Sequence, residues 1–452
     1  MKFLCFSLSI FFCSGFLSAE VNIEPRGKFI DDCTLEGEQK KDWLHPSHPY
    51  CAQLSQDRFL WVYQTRGFSG VDSEHSIIYQ LRSDAPDGPF LKEGFISRYR
   101  EDWEVYKDGR KFIKSHGHPK VTGVPKGAVD SEGALFPAEN VFLATWYVIP
   151  AVRDPESKVV DRVGGNLLEA IHFRLKDDGS DIEFIDEAST IWREKGFETG
   201  RILSSAEPPQ SSVNQWLVPA TALDDRKLRW VDTYHFGKGI AAVEIAFDET
   251  SKRYQWVRTG KMVNEHVRGK LIEGSLNRLG PDDWVLGARA RGHHWGKGAY
   301  GYCVAWYRTS DPFAGFGEPT YTKVPSSYCP KPSHLCPDGV LRVMSGHLGG
   351  GNTKRNPLFC WDVDPENEYS VSNERMLLDV KGKIRFPMVG FTKLSPVVNN
   401  RQIMTYRVTS MQQRQDTEQF PALTKEELEH CGAYYSVLTY DPAVPDTWMF
   451  PE

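Results

Sequence analysis

Long apolar runs are scarce in this chain. After residues 1–19, MKFLCFSLSIFFCSGFLSA, no stretch of the 452 residues is long and apolar enough to cross a bilayer as a helix, so no membrane span is expected. Sustained helical periodicity is scarce as well. The best helix candidate runs from Leu423 to His430, with Thr424 as cap and Glu427 completing a capping box. No two cysteines stand at C-x-x-C spacing, which excludes the common zinc and dithiol motifs, and no metal or cofactor is expected. Excess positive charge is missing too. With 54 Lys and Arg against 60 Asp and Glu the formal net charge is −6, which offers nucleic acid no attractive field.

The chain is rich in aromatics and in turn residues. Aromatic side chains make up 12% of the sequence, with 13 Trp, a density that suits β-rich proteins and surfaces where a flat ring packs on a sugar face. Residues 1–19 read as a secretory signal: Lys2 at the start, an apolar run, and Leu17-Ser18-Ala19 before the polar switch at Glu20. That places the protein outside the cell or in a periplasm, with residues 20–452 as one domain. Cleavage removes Cys5 and Cys13. In an oxidising compartment Cys33/Cys51 and Cys329/Cys336 are then candidate loop staples, and the odd total leaves at least one thiol over.

One pattern recurs: a polar turn with Asp, Gly or Pro, then a strand of β-formers. It appears in LSQDRFLWVYQT from Leu54, VDSEGALFPAENVFLATWYV from Val129 and LDDRKLRWVDTYHF from Leu223. It returns in LGPDDWVLGARA from Leu279, LCPDGVLRVMSG from Leu335 and LSPVVNNRQIMTYRV from Leu394. Short strands repeating at intervals of about 55 to 95 residues indicate an all-β radial repeat, a β-propeller. Six such segments predict six blades, and two wide gaps leave room for a seventh. A propeller brings equivalent points of its inner strands to one small volume. Taking the strand after each turn as the innermost one puts Tyr63, Arg66, Tyr147, Tyr234, His235, Arg289, His347 and Tyr406 there, with His116, His118, Glu273 and Arg355 at the entrance.

The most informative stretch is LIEGSLNRLGPDDWVLGARAR, residues 271–291. It reads as a hairpin turning at Gly280-Pro281-Asp282-Asp283, with Glu273 near one end and Arg289 and Arg291 at the corresponding end of the other strand. A carboxylate beside a guanidinium either braces a blade or forms a site that binds a sugar acid bidentately. In SHGHPK, His116 and His118 share a face if the strand is extended, and can act as acid and base. The run RGHHWGKGAYGY places Trp295 in a glycine-rich loop where it can stack on a sugar. GGGNTKRNP carries Arg355 in a loop that can approach a ligand closely.

These residues give the sequence a family resemblance. EGSLNRLGPDDWVLGAR resembles the part of the sialidase superfamily, the BNR/Asp-box propellers, in which a Glu precedes one of three carboxylate-binding arginines. RNPLFCWDVDPE from Arg355 is similar to the segment with the third arginine, and LRSDAPDGPF and YRTSDPFAGF look like degenerate Asp-boxes. No intact Arg-Ile-Pro motif supplies the first arginine, which leaves Arg66 by blade position. The resemblance implies an exo-glycosidase acting on a terminal acidic sugar, with Glu273, His118 and Tyr406 catalytic and Tyr435 competing for the nucleophile's part. Arg66, His116, His235, Arg289, Arg291, Trp295 and Arg355 would bind an acidic oligosaccharide or polysaccharide. A propeller lyase or His-dependent glycosidase on uronate polymers, or a carbohydrate-binding propeller without catalysis, are the alternatives.

Overall fold

The computed structural model describes residues 21–30, 47–64, 76–105, 111–124, 141–153, 160–162, 167–191, 210–211, 218–219, 229–236, 239–248, 251, 253–263, 270–291, 303–324, 333–346, 355–410 and 423–443. The sites at Arg66, Trp295 and His347, the leader, Cys33 and Cys329 lie outside the described residues. For His235, Glu273 and Arg291 the description covers the backbone and not the side chain.

The protein is an all-β propeller. Strand β1 (Asn22–Ile30) is set aside by the chain for the last sheet. Sheet one follows: β2 (Ser47–Ser55), β3 (Arg58–Gln64), β4 (Ile77–Ser83) and β5 (Phe90–Ser97). Sheet two contains β6 (Arg100–Val105), β7 (Lys111–Gly123), β8 (Val141–Arg153), β9 (Val160–Arg162), β10 (Leu167–Leu175), β11 (Ile182–Phe184) and β12 (Ser189–Ile191). Sheet three has β13 (Gln210–Ser211), β14 (Val218–Pro219), β15 (Arg229–Phe236), β16 (Gly239–Asp248) and β17 (Arg253–Thr259). Sheet four is β18 (Lys270–Gly280), β19 (Asp283–Arg291), β20 (Cys303–Thr309) and β21 (Thr320–Lys323). Sheet five is β22 (Ser333–Leu335), β23 (Leu341–Gly346), β24 (Leu358–Asp364) and β25 (Ser370–Leu378). Sheet six joins β26 (Pro387–Val398), β27 (Arg401–Ser410) and β28 (Gly432–Thr439) to β1. Pairing of β1 with β28 ties the two ends of the described chain together.

Burial follows strand rank. Second and third strands are sandwiched between sheets, so β3, β16 and β23 are almost continuously buried and read as unbroken apolar runs. Fourth strands such as β5, β17 and β25 face solvent and alternate with charge. Each pair of neighbouring sheets encloses its own apolar cluster. Val62 meets Trp146 between sheets one and two, and Leu143 meets Phe247 between two and three. Ile240 meets Leu286 between three and four, and Trp306 meets Trp361 between four and five. Met344 meets Tyr406 between five and six, and Trp61 meets Tyr435 between six and one. The last of these closes the ring.

The outer turns are held by aspartates, as hairpin chemistry requires. Asp178, Asp248, Asp311 and Asp364 each accept a backbone N–H within the turn that leads to a fourth strand. The predicted helix forms as α1 (Lys425–Glu429). Its capping box is present: Glu427 N donates to Thr424 Oγ1 at 3.1 Å and Thr424 N to Glu427 Oε2 at 2.8 Å. The predicted hairpin at 271–291 also forms, with Ile272 opposite Arg289 and Lys270 opposite Arg291.

Two expectations are corrected. The polar turns that mark the repeats join first strands to second strands, so Tyr63, Tyr147, Tyr234, His235, Arg289 and Tyr406 lie on second strands. The innermost strands are the ones before those turns: β2 touches β7 and β26, and β18 touches β22. The loop staples are not formed either. Cys51 and Cys336 are free, buried thiols facing apolar clusters, where burial pushes their pKa up.

Candidate active site

Four first strands break their ladder at the same place. In β2 the register slips between Ser47 and Tyr50, leaving His48-Pro49 unpaired with β3. In β7 it slips between Gly117 and Lys120, leaving His118-Pro119. In β18 the slip lies between Ile272 and Ser275, at Glu273-Gly274, and in β26 between Gly390 and Lys393, at Phe391-Thr392. Proline has no N–H to give the ladder, so a His-Pro pair suits a bulge. At Gly274 a Cβ would come within 3.0 Å of Ile240 Cδ1, which leaves little room for a side chain. The equivalent first positions therefore carry His48, His118, Glu273 and Phe391 at one end of the channel.

The bulges are braced by neighbouring sheets. Thr405 Oγ1 donates to Pro49 O at 2.7 Å, and Thr233 Oγ1 to Gly274 O at 3.3 Å. Lys393 Nζ donates to Pro119 O at 2.8 Å and to His48 O at 3.1 Å. His118 N donates to Gln64 Oε1 at 3.3 Å. These bonds oppose a local cost. His48 and His118 have φ of 52° and 53°, left-handed values that cost a non-glycine residue about 1–2 kcal/mol. A hydrogen bond returns about 1 kcal/mol net, so several are needed to hold both bulges.

The result is a contact between two imidazoles. The rings of His48 and His118 lie 3.8 Å apart, centre to centre, and Tyr147 lies 5.2 Å beyond His118. His48 is buried and His118 half-buried. Two more basic groups sit in this part of the channel. Burial, helped by Lys120, pulls the Lys393 amine well below its ordinary pKa. The same two causes bring His334, on β22, down to about 3, so it stays neutral at physiological pH.

Other predicted residues separate. Arg289 is buried on β19, directly across from Ile272 and one residue from the Glu273 bulge. Arg407 holds the matching position on β27, across from Gly390. Arg355 enters a lone bridge with Met388, which sets it beside the start of β26. Gly346 makes that approach possible, since a Cβ there would lie 2.4 Å from Arg355 O. His235 is on β15, opposite Gln210, and Arg291 ends β19.

His116 and Tyr406 do not belong with them. The bulge rotates His118 away from the face His116 occupies, and His116 Nε2 instead meets Ser97 Oγ at 2.8 Å, fully buried. Tyr406 lies across from the β26 bulge but points into the cluster between sheets five and six. Its hydroxyl pairs with Ser436 Oγ at 3.1 Å, and burial lifts its pKa to about 12. Such a phenol stays protonated. Tyr435 packs against Trp61 in the closing cluster and is equally internal. The sequence reading missed His48, Gln64 and Lys393. The repeated His-Pro pair, SHPYC beside GHPKV, was the signal that could have found the first of these.

No protein-family model matches the chain, and no curated protein matches it in sequence. Solved structures do. Over 92% of this chain and 70% of the other, the NanB sialidase from Streptococcus pneumoniae superposes with a TM-score of 0.51 at 8% identity. A second NanB complex, with Optactamide, gives the same score at 9%. The GH93 α-L-arabinofuranosidase of Fusarium graminearum, in complex with arabinobiose, follows at a TM-score of 0.45 and 10% identity, covering 92% and 98%. At these identities the likeness is one of fold, the β-propeller.

Proposed function

We propose that this protein is a secreted glycoside hydrolase that takes a terminal acidic sugar at the ring of first-strand bulges. The observation that supports it most is the register of β18 on β19, which sets Glu273 in a bulge one residue from the position facing Arg289. Arg289 and Arg355 come from different sheets at the same end of the channel, and guanidinium groups suit a sugar carboxylate because they fork onto both oxygens. Arg407, at the position matching Arg289, joins them in this reading. Arg66, His235, Arg291 and Trp295 would line the approach. The leader 1–19 would export the chain.

With Tyr406 in the core, the hydrolysis we propose is a single displacement. Glu273 takes a proton from water as the water oxygen bonds to the anomeric carbon, and the glycosidic C–O bond breaks with its electrons. His118, in protonated form, gives the leaving oxygen its proton.

A panel of aryl glycosides of sialic acid, uronic acids and neutral sugars tests the proposal. We expect turnover of an acidic member, and Arg289→Ala to raise its KM by about 10-fold or more. Turnover confined to neutral sugars and unaffected by Arg289→Ala would refute it. One observation favours a second reading: the His48–His118 contact beside Tyr147 also suits a uronate lyase, with proton abstraction and β-elimination. A lyase digest gains an unsaturated, ultraviolet-absorbing product; a hydrolase digest does not.

A further inference from the structure

Lys393 is a buried amine on sheet six whose hydrogen bonds reach two other sheets, to His48 O on β2 and to Pro119 O on β7. Both acceptors lie in the bulges that carry His48 and His118. We propose that Lys393 is the positioning residue of the site: by tying these two carbonyls together across the channel, it sets the 3.8 Å contact of the two imidazoles. The inference rests on the proposed active site but not on which sugar is cut.

Three observations carry it. The tied carbonyls belong to His48 and Pro119, and each of the two bulges contains a non-glycine residue with left-handed φ, His48 in one and His118 in the other, so each bulge needs an external hold on its backbone. Elsewhere in these bulges a hydroxyl from a neighbouring sheet holds one carbonyl, Thr405 Oγ1 on Pro49 O and Thr233 Oγ1 on Gly274 O. An amine has at least two N–H groups to donate whether charged or neutral, so it can serve two carbonyls at once, which a hydroxyl cannot. Position 393 is the first residue after its own bulge, the place filled by Tyr50, Lys120 and Ser275 in the other broken first strands. The link therefore comes from the residue type at a repeated position.

The test uses the full chain labelled with 15N-histidine, the ring signals of His48 and His118 being assigned by His48→Gln and His118→Gln. In folded Lys393→Met we expect both ring signals to move while those of His172 and His430 stay. With a substrate in hand, kcat should fall about 10-fold or more and KM change less than about twofold. Unmoved His48 and His118 signals in the folded variant would overturn the proposal. Should Lys393→Met fail to fold, Thr405→Val loosens the same bulge from one side: a shift of His48 alone supports the account, and no shift contradicts it. The ring signals need no substrate. Absence of all glycosidase turnover would therefore strike the proposed function and leave this inference standing.

Discussion

His172 on one hand, and the pair of His48 and His118 on the other, are held in opposite ways. Toward the rim, between sheets two and three, His172 is held through its ring. Nδ1 meets Asp186 Oδ2 at 2.6 Å, Nε2 meets Tyr254 OH at 2.6 Å, and Phe247 packs edge-on. At the axis His48 and His118 are held through their backbones, by Lys393, by Gln64 and by left-handed turns. A histidine whose two nitrogens are both committed to protein partners is a clamp. The pair His48 and His118 is set instead on bulges with left-handed φ, beside the carboxylate position that we propose to be catalytic. In the proposed reading the same side chain serves stability in one place and chemistry in the other.

That contrast can be broken by substitution. The largest effect expected is at the axis: Glu273→Gln should lower kcat by about 10²–10⁴-fold without moving the unfolding midpoint, checked by steady-state kinetics and urea titration on one sample. His172→Ala should do the reverse. It leaves the buried Tyr254 and the half-buried Asp186 without their imidazole, costing about 3 kcal/mol in urea unfolding, with kcat/KM unchanged. Gly346→Ala is intermediate, because its Cβ would displace the backbone of Arg355; KM for an acidic substrate should rise roughly 10-fold with little change in kcat. The smallest effect concerns neither histidine group. The Arg385 hydrogen bonds, with the Thr424 and Arg385 backbone N–H groups, hold the Glu427 carboxyl down at about 2. Its folded pKa lies below its unfolded one, so its contribution is complete above the ordinary carboxylate range and is lost as pH falls toward 2. The Tm difference between wild type and Glu427→Gln should therefore shrink steadily from pH 5 to pH 2.

Much of the fold was legible because propellers announce themselves locally. Asp-closed turns, short β-forming runs and one capping box are decided within a few residues, and 271–291 paired as its sequence suggested. The strand rank was misread for a physical reason. Both first and second strands are apolar and flank the same turn, so nothing local tells which one lines the axis. The site was half legible. Glu273 and Arg289 stand out as opposite charges at matched ends of a hairpin. His48, Gln64 and Lys393 do not, since their roles depend on carbonyls and bulges brought from three sheets. Tyr406 misled because it stands on a second strand, across from the β26 bulge, with its ring in the core cluster between sheets five and six.

The most direct test of the central claim is a crystal structure of Glu273→Gln with an acidic oligosaccharide bound. The account predicts the terminal sugar beside the bulges of β2, β7 and β18, its carboxylate on Arg289 and its glycosidic oxygen near His118. A sugar seated on the outer strands, or at the axis with its carboxylate turned away from Arg289, would contradict it.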